Sequence, residues 1–305
     1  MKLDFSDPII PQCGVAYEDQ LLVPNKGRQQ RQFDAQPPGF AVDKIIGGTE
    51  AQPNSIPWQA RITLTIPNPY EVSCPRGQNQ VVTCGASIVS PIHILTSAMC
   101  VQYPTYSTCN EIFPGNPDGV EDFLPENAVV IVGDHSISDT TEIGEKTHEV
   151  ACILKHPSWN LFESISDGSL DVTNNIAVIT LKEPIDLESA GSKAKPVCLA
   201  TEEIEKQNII NTPEQPSLTV SGWGQVAGGY EDLRSDKLMV AEVPYLGVDR
   251  ETCFKKFPPT FPYDSSMMCT GNVHSDNQPD ELAPYRTGAC NGDWGGKKNP
   301  VYAQS

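Results

Sequence analysis

An all-β fold of Greek-key type, either a barrel or a sandwich, is what this 305-residue sequence predicts, on three observations. Short apolar runs recur along the chain, each bounded by turn residues and each the length of one strand. Proline is abundant, at 27 residues, and suits turns and strand edges better than helix interiors. Only one stretch looks helical, and many short strands with few helices argue for antiparallel sheets closed or packed on each other.

Residues 1–44 read as an extended tether, because "PNKGRQQRQFDAQPPGFAVDK" mixes Pro, Gly and Gln with Lys26, Arg28 and Arg31. That small basic cluster is expected to be a solvated part of the linker, with a processing or docking site as the alternative. From Ile45 the texture changes to strand-like runs. "QARITLTI", "VVTCGASIV", "HILTSAM", "AVVIVG", "VACILKH", "NIAVITL", "SLTVSGW" and "KLMVAEV" follow in that order. "GVDRETCFKKF" is the one expected helix, with Asp249 as its N-cap. No tandem repeat or low-complexity segment interrupts the series.

Composition excludes several classes. The net charge of −18, from 39 acids against 21 bases, would repel a polyanion, so no nucleic-acid partner is expected. No run reaches the ~18 consecutive apolar residues of a membrane span, so no membrane partner is expected either. Ten cysteines are dispersed with no CxxC pair and no zinc-type spacing with histidine. In a strand-rich chain they read as disulfides of an oxidising, extracellular compartment. No signal peptide is visible in "MKLDFSDPIIPQCG" and no N-x-[ST] sequon occurs, so the start of the secreted chain is expected to be missing.

Three separated stretches carry more specific information: "KIIGGTEAQPNSIPWQA" (44–60), "CGASIVSPIHILTSAMC" (84–100) and "CNGDWGG" (290–296). "NNIAVITL" (174–181), "PVCLA" (196–200) and "SGWG" (221–224) accompany them in order. Together these motifs resemble the trypsin-like serine proteases of chymotrypsin fold. The resemblance implies two Greek-key antiparallel β-barrels in a protease domain over 45–305, preceded by the 1–44 activation segment. The chain ends 11 residues after Trp294, so the second barrel is expected to be incomplete at its C-terminal end.

The chemistry of that family needs a serine nucleophile, a histidine to take its proton and an aspartate to orient the histidine. The matching positions here are Met99 in "TSAMC", Asn175 in "NNIAV" and Trp294 in "GDWGG". A thioether carries no proton at neutral pH, an amide cannot offset an imidazolium charge, and an indole offers an N–H but no nucleophile. Loss of one principal triad member costs on the order of 10⁶ in kcat, so no catalytic residue is expected here. No other histidine is expected to step in. His93 lies six residues before Met99, about 20 Å along an extended strand at ~3.3 Å per residue. His135 and His274 precede serines whose side chains point away on extended backbone, and His148 and His156 have no hydroxyl or thiol partner that the sequence identifies.

The resemblance carries further expectations. An activating trypsin-like protease would cut after Lys44, freeing the Ile45 amine to pair with Asp293. Gly288 stands six residues before Trp294, at the specificity-pocket position where trypsin-like members carry an aspartate. The implied disulfides are Cys84–Cys100, Cys253–Cys269 and Cys13–Cys198, while Cys74, Cys109 and Cys152 are additional and Cys290 lacks its usual partner. Asp134, Glu142 and Glu145 in "GDHSISDTTEIGEK" fall near calcium-loop positions; a solvated loop without metal is the simpler expectation, with calcium as the alternative. The function expected is that of a catalytically inactive, secreted homologue that binds proteases or other components of an extracellular cascade. An active endopeptidase and a non-functional fragment are the alternatives.

Overall fold

The computed structural model describes residues 48–66, 81–105, 119–159, 173–189, 191–199, 217–224, 235–247 and 269–270. Twelve strands lie within them: β1 Thr49–Glu50, β2 Gln59–Thr65, β3 Val81–Ile88, β4 His93–Thr96, β5 Gln102–Thr105, β6 Gly119–Asp122, β7 Ala128–Val132, β8 Lys146–Lys155, β9 Ala177–Leu181, β10 Ser217–Gly222, β11 Met239–Gly247 and β12 Cys269–Thr270. Short 3-10 turns at Ala98–Val101 and Pro125–Asn127 are the only helical elements among the described residues.

The strand's alternation of side chains between two faces decides the first barrel. Ala60, Ile62 and Leu64 of β2 alternate with Arg61 and Thr63, whereas Ala128, Val130 and Val132 of β7 and Ala177, Ile179 and Leu181 of β9 lie in near-continuous apolar runs. Each set points into one closed cavity, where all nine are almost fully buried. The strands close in the order β2-β3-β4-β9-β8-β7, every neighbouring pair antiparallel. Closure removes the unpaired edges that would otherwise template association. Ile88, Ile94, Val101, Val150 and Trp159 complete the same core.

In the second half, β1 and β10 flank β11, and β12 pairs with its far end. Ala51, Trp223, Leu238 and Val240 form a smaller core there. The two halves are joined by polar contacts: Ser221 Oγ donates to Gln59 Oε1 at 2.6 Å, and Ser136 Oγ donates to Asp236 Oδ2 at 2.7 Å. The rest of the expected second barrel and the expected helix at 247–257 fall outside the described residues, apart from Gly247 at the end of β11.

All eight apolar runs named from the sequence contain a strand, but β5 and β6 do not follow that signal. "QYPT" and "GVED" are short and lack apolar alternation, and they pair as a ribbon instead. What holds the ribbon is Tyr103, whose ring lies 4.8 Å from that of Phe123 and whose hydroxyl donates to Glu121 at 2.7 Å. The run "HILTSAM" also ends earlier than expected. β4 stops at Thr96 and the chain turns at once into the 3-10 segment that carries Met99. Met99 is therefore not on an extended strand with His93, as the 20 Å estimate assumed.

Candidate functional site

The cysteine at the end of "TSAMC" begins the construction of the site. Ser97 caps the 3-10 turn by accepting a hydrogen bond on Oγ from the Cys100 N–H at 3.3 Å. A disulfide ties Cys100 to Cys84 on β3, with the Cα atoms 6.2 Å apart. Between these anchors Met99 is half-buried and packs against the first-barrel core. Across from it, Asn174 takes a left-handed φ of 59°, which asparagine tolerates better than most side-chain-bearing residues. That turn delivers Asn175, only 7% exposed, to the same place. The Met99 N–H donates to Asn175 Oδ1 at 2.8 Å. Two of the three positions named from the sequence thus meet directly, through a backbone amide and a side-chain amide. Neither side chain there can take up a proton at neutral pH.

Trp294, Asp293, Gly288, Lys44 and Ile45 lie outside the described residues, as do Cys13, Cys74, Cys109, Cys253, Cys290 and His274. Cys198 is disulfide-bonded, Cys269 sits in β12, and Cys152 on β8 is a free, exposed thiol. His93 contacts a hydroxyl that the sequence reading did not connect to it, with Ser90 Oγ 2.8 Å from its Nδ1. The same oxygen accepts from the N–H groups of Ile92 at 3.3 Å and His93 at 3.1 Å, so it closes the β3–β4 turn. His156 Nδ1 accepts from Ser158 N in a similar local turn. Burial, reinforced by the Lys146 charge, pushes the His148 imidazole below its ordinary pKa.

The second constellation is the loop between β7 and β8. Gly133 and Gly144 take left-handed φ values of 72° and 99° and pinch its base together. A Cβ on Gly133 would lie 2.4 Å from the Gly144 carbonyl oxygen, so only glycine fits this crossing. Inside the loop, ligand atoms of Asp134, Glu142 and Glu145 all lie within 4.8 Å of one another. Glu142 is held by the backbone at the loop's start: Oε2 accepts from His135 N at 2.6 Å and Ser136 N at 3.1 Å. Asp134, 6% exposed, accepts from the Arg61 guanidinium on Oδ2, while its Oδ1 has no hydrogen-bond partner among the described residues. Glu145 Oε2 is likewise buried and unpartnered there.

Electrostatics agree with that geometry. Burial raises the Asp134 pKa against the opposing pull of Arg61, and burial with the Asp134 charge raises that of Glu145. Carboxylate oxygens converging with two left bare suit a hard, oxygen-seeking cation of calcium type, with carbonyls and water completing its shell. Arg61 was missed from sequence; its signal was an arginine inside the otherwise apolar and hydroxyl-bearing run "QARITLT".

The loop also bridges the two halves. His135 Nε2 lies 3.0 Å from Glu50 Oε1 on β1, and the His135 carbonyl accepts from Trp223 Nε1 at 3.1 Å and Leu238 N at 2.8 Å. Beside the Met99 turn, the β5–β6 ribbon borders an open cavity of about 490 Å³ lined in part by Tyr103, Glu121, Asp122 and Lys155. The Tyr103 hydroxyl is pushed up to about 12, by burial first and by Glu121 second. No helix among the described residues is long and apolar enough to cross a membrane.

Known proteins fit this architecture. The family model for trypsin matches residues 45–296. The chain is 30% identical over 229 residues to serine protease SSP1 of Scolopendra subspinipes, covering 75% of this chain and 61% of that protein. It is 28% identical over 254 residues to kallikrein-8 of Homo sapiens, covering 83% of this chain and 71% of that one. The chain therefore spans about three fifths of the first relative's length and less than three quarters of the second's. With the closed antiparallel barrel and the ordered motifs already described, these matches place the chain in the trypsin family of serine proteases.

Proposed function

We propose that this member of the family is catalytically inactive and acts by binding protein partners, as a cofactor or regulator in an extracellular proteolytic cascade. One observation carries the reading. Where the family chemistry needs an imidazole held by a carboxylate, this chain has a methionine whose backbone N–H is held by Asn175. The local scaffold that brings the two positions together is intact, and the groups that move a proton are gone. Trp294 at the nucleophile position adds a third loss of a different chemical kind.

The partners expected are proteases or other cascade components, together with an activating trypsin-like protease that cuts after Lys44. That cut would release the Ile45 amine to pair with Asp293, an order–disorder switch kept without the chemistry it once gated. A framework containing the Cys84–Cys100 disulfide fits an oxidising, extracellular setting. The test is to cleave the full chain at Lys44 and assay hydrolysis of a panel of peptide amides. Turnover no faster than the buffer blank is expected; hydrolysis at protease-like rates would establish the active endopeptidase instead.

The same reading includes a calcium-type cation on Asp134, Glu142 and Glu145, supported by the two bare oxygens. Ligand binding to the folded state raises stability by mass action. Millimolar calcium chloride should therefore raise the melting temperature, and an unchanged melting temperature would count against the site.

A further inference from the structure

We infer that Arg61 is a built-in counter-cation that holds down the affinity of the Asp134, Glu142 and Glu145 cluster for a divalent cation. This rests on the cation reading given above and adds the residue that tunes it. Arg61 reaches the cluster from β2, outside the loop that supplies the three carboxylates. Its side chain is 8% exposed and that of Asp134 is 1% exposed, so solvent screens their charges little. The guanidinium takes one oxygen of Asp134 and leaves the other bare. Three carboxylates face this one guanidinium, and Glu145 Oε2 has no hydrogen-bond partner among the described residues.

An arginine that gripped Asp134 through both oxygens would leave neither free for a cation. Without Arg61, one buried and two half-buried carboxylates would crowd one another whenever the cation is away. The observed arrangement lies between these limits. Arg61 keeps the cation-free loop folded and, from the other side of the same carboxylate, repels an incoming positive charge. It also has a second resting contact, since Nη1 lies 3.4 Å from Thr63 Oγ1 on its own strand. The guanidinium can therefore yield Asp134 and still keep an acceptor.

The test uses the full chain and calcium chloride, with affinity read by calorimetry. Arg61→Gln removes the charge and is expected to tighten calcium binding by about tenfold or more, while Arg61→Lys keeps it and stays within about threefold of wild type. Equal or weaker binding by Arg61→Gln would overturn the inference while leaving the cation site standing. No binding by either the wild type or Arg61→Gln would remove both. Binding by Arg61→Gln alone would support the counter-cation and reject a resident metal in the natural chain. A readout that needs no variant covers the case in which Arg61→Gln fails to fold. In the wild-type chain labelled with ¹⁵N-arginine, the Arg61 Nε–H resonance should move during the calcium titration. Saturation of the site with that resonance unmoved would contradict the proposal.

Discussion

Asn175 does a structural task at the position that the resemblance matches to the family's aspartate. Its Oδ1 accepts the Met99 N–H, and both residues are largely withdrawn from water. Removing the acceptor leaves a part-buried donor without its partner, which costs as much as or more than the net value of a hydrogen bond. Asn175→Ala should therefore lower stability by about 1–3 kcal/mol in denaturant unfolding. An unchanged midpoint would mean that water replaces the side chain at no cost. At this scale the sequence was informative about identity and uninformative about contact. Met99 and Asn175 were named from the motifs around them, and their pairing through a backbone amide has no sequence signature. Arg61 was overlooked for a related reason. A charge on a strand reads as solvent-facing, until a loop 70 or more residues further on folds over it, as the Arg61–Asp134 pair at a separation of 73 does.

At the scale of elements, the turn bearing Met99 depends on one covalent tie. Cys84 and Cys100 are separated by 16 residues, spanning β3, β4 and the 3-10 turn. A loop of this length restricts the unfolded chain by about 3 kcal/mol in the chain-entropy account. Replacing both cysteines by alanine should lower stability by that order and increase hydrogen exchange in the 98–101 turn before the β2–β7 pair opens. Uniform exchange across the barrel would show that the tie has no local role. The barrel strands were legible because Ala60, Ile62 and Leu64 repeat with period two in β2, while β7 and β9 are short apolar runs of strand length bounded by turn residues. The β5–β6 ribbon was not, because its order comes from Tyr103 packing on Phe123 and from the Tyr103–Glu121 hydrogen bond. Those are tertiary contacts that leave no periodicity. The end of β4 was also misplaced: an apolar run continues through Ala98 and Met99, while the Ser97 cap turns the backbone.

Across the whole molecule, the loop from Gly133 to Glu145 links the first barrel to β1 and to the second half. His135 meets Glu50, Trp223 and Leu238, and Ser136 meets Asp236, contacts with residues both well before and well after the loop. The carboxylates at its base were visible in the sequence by family spacing, and their convergence within 4.8 Å is what the fold adds. The described residues keep the closed antiparallel barrel of the trypsin family, and the proposed loss of catalysis rests on Met99, Asn175 and Trp294. The most direct measurement of that central claim is intact mass after treatment of the Lys44-cleaved chain with a serine-directed fluorophosphonate. The account predicts no adduct, because Trp294 offers no nucleophile and Met99 no base. Stoichiometric labelling of one serine would contradict it.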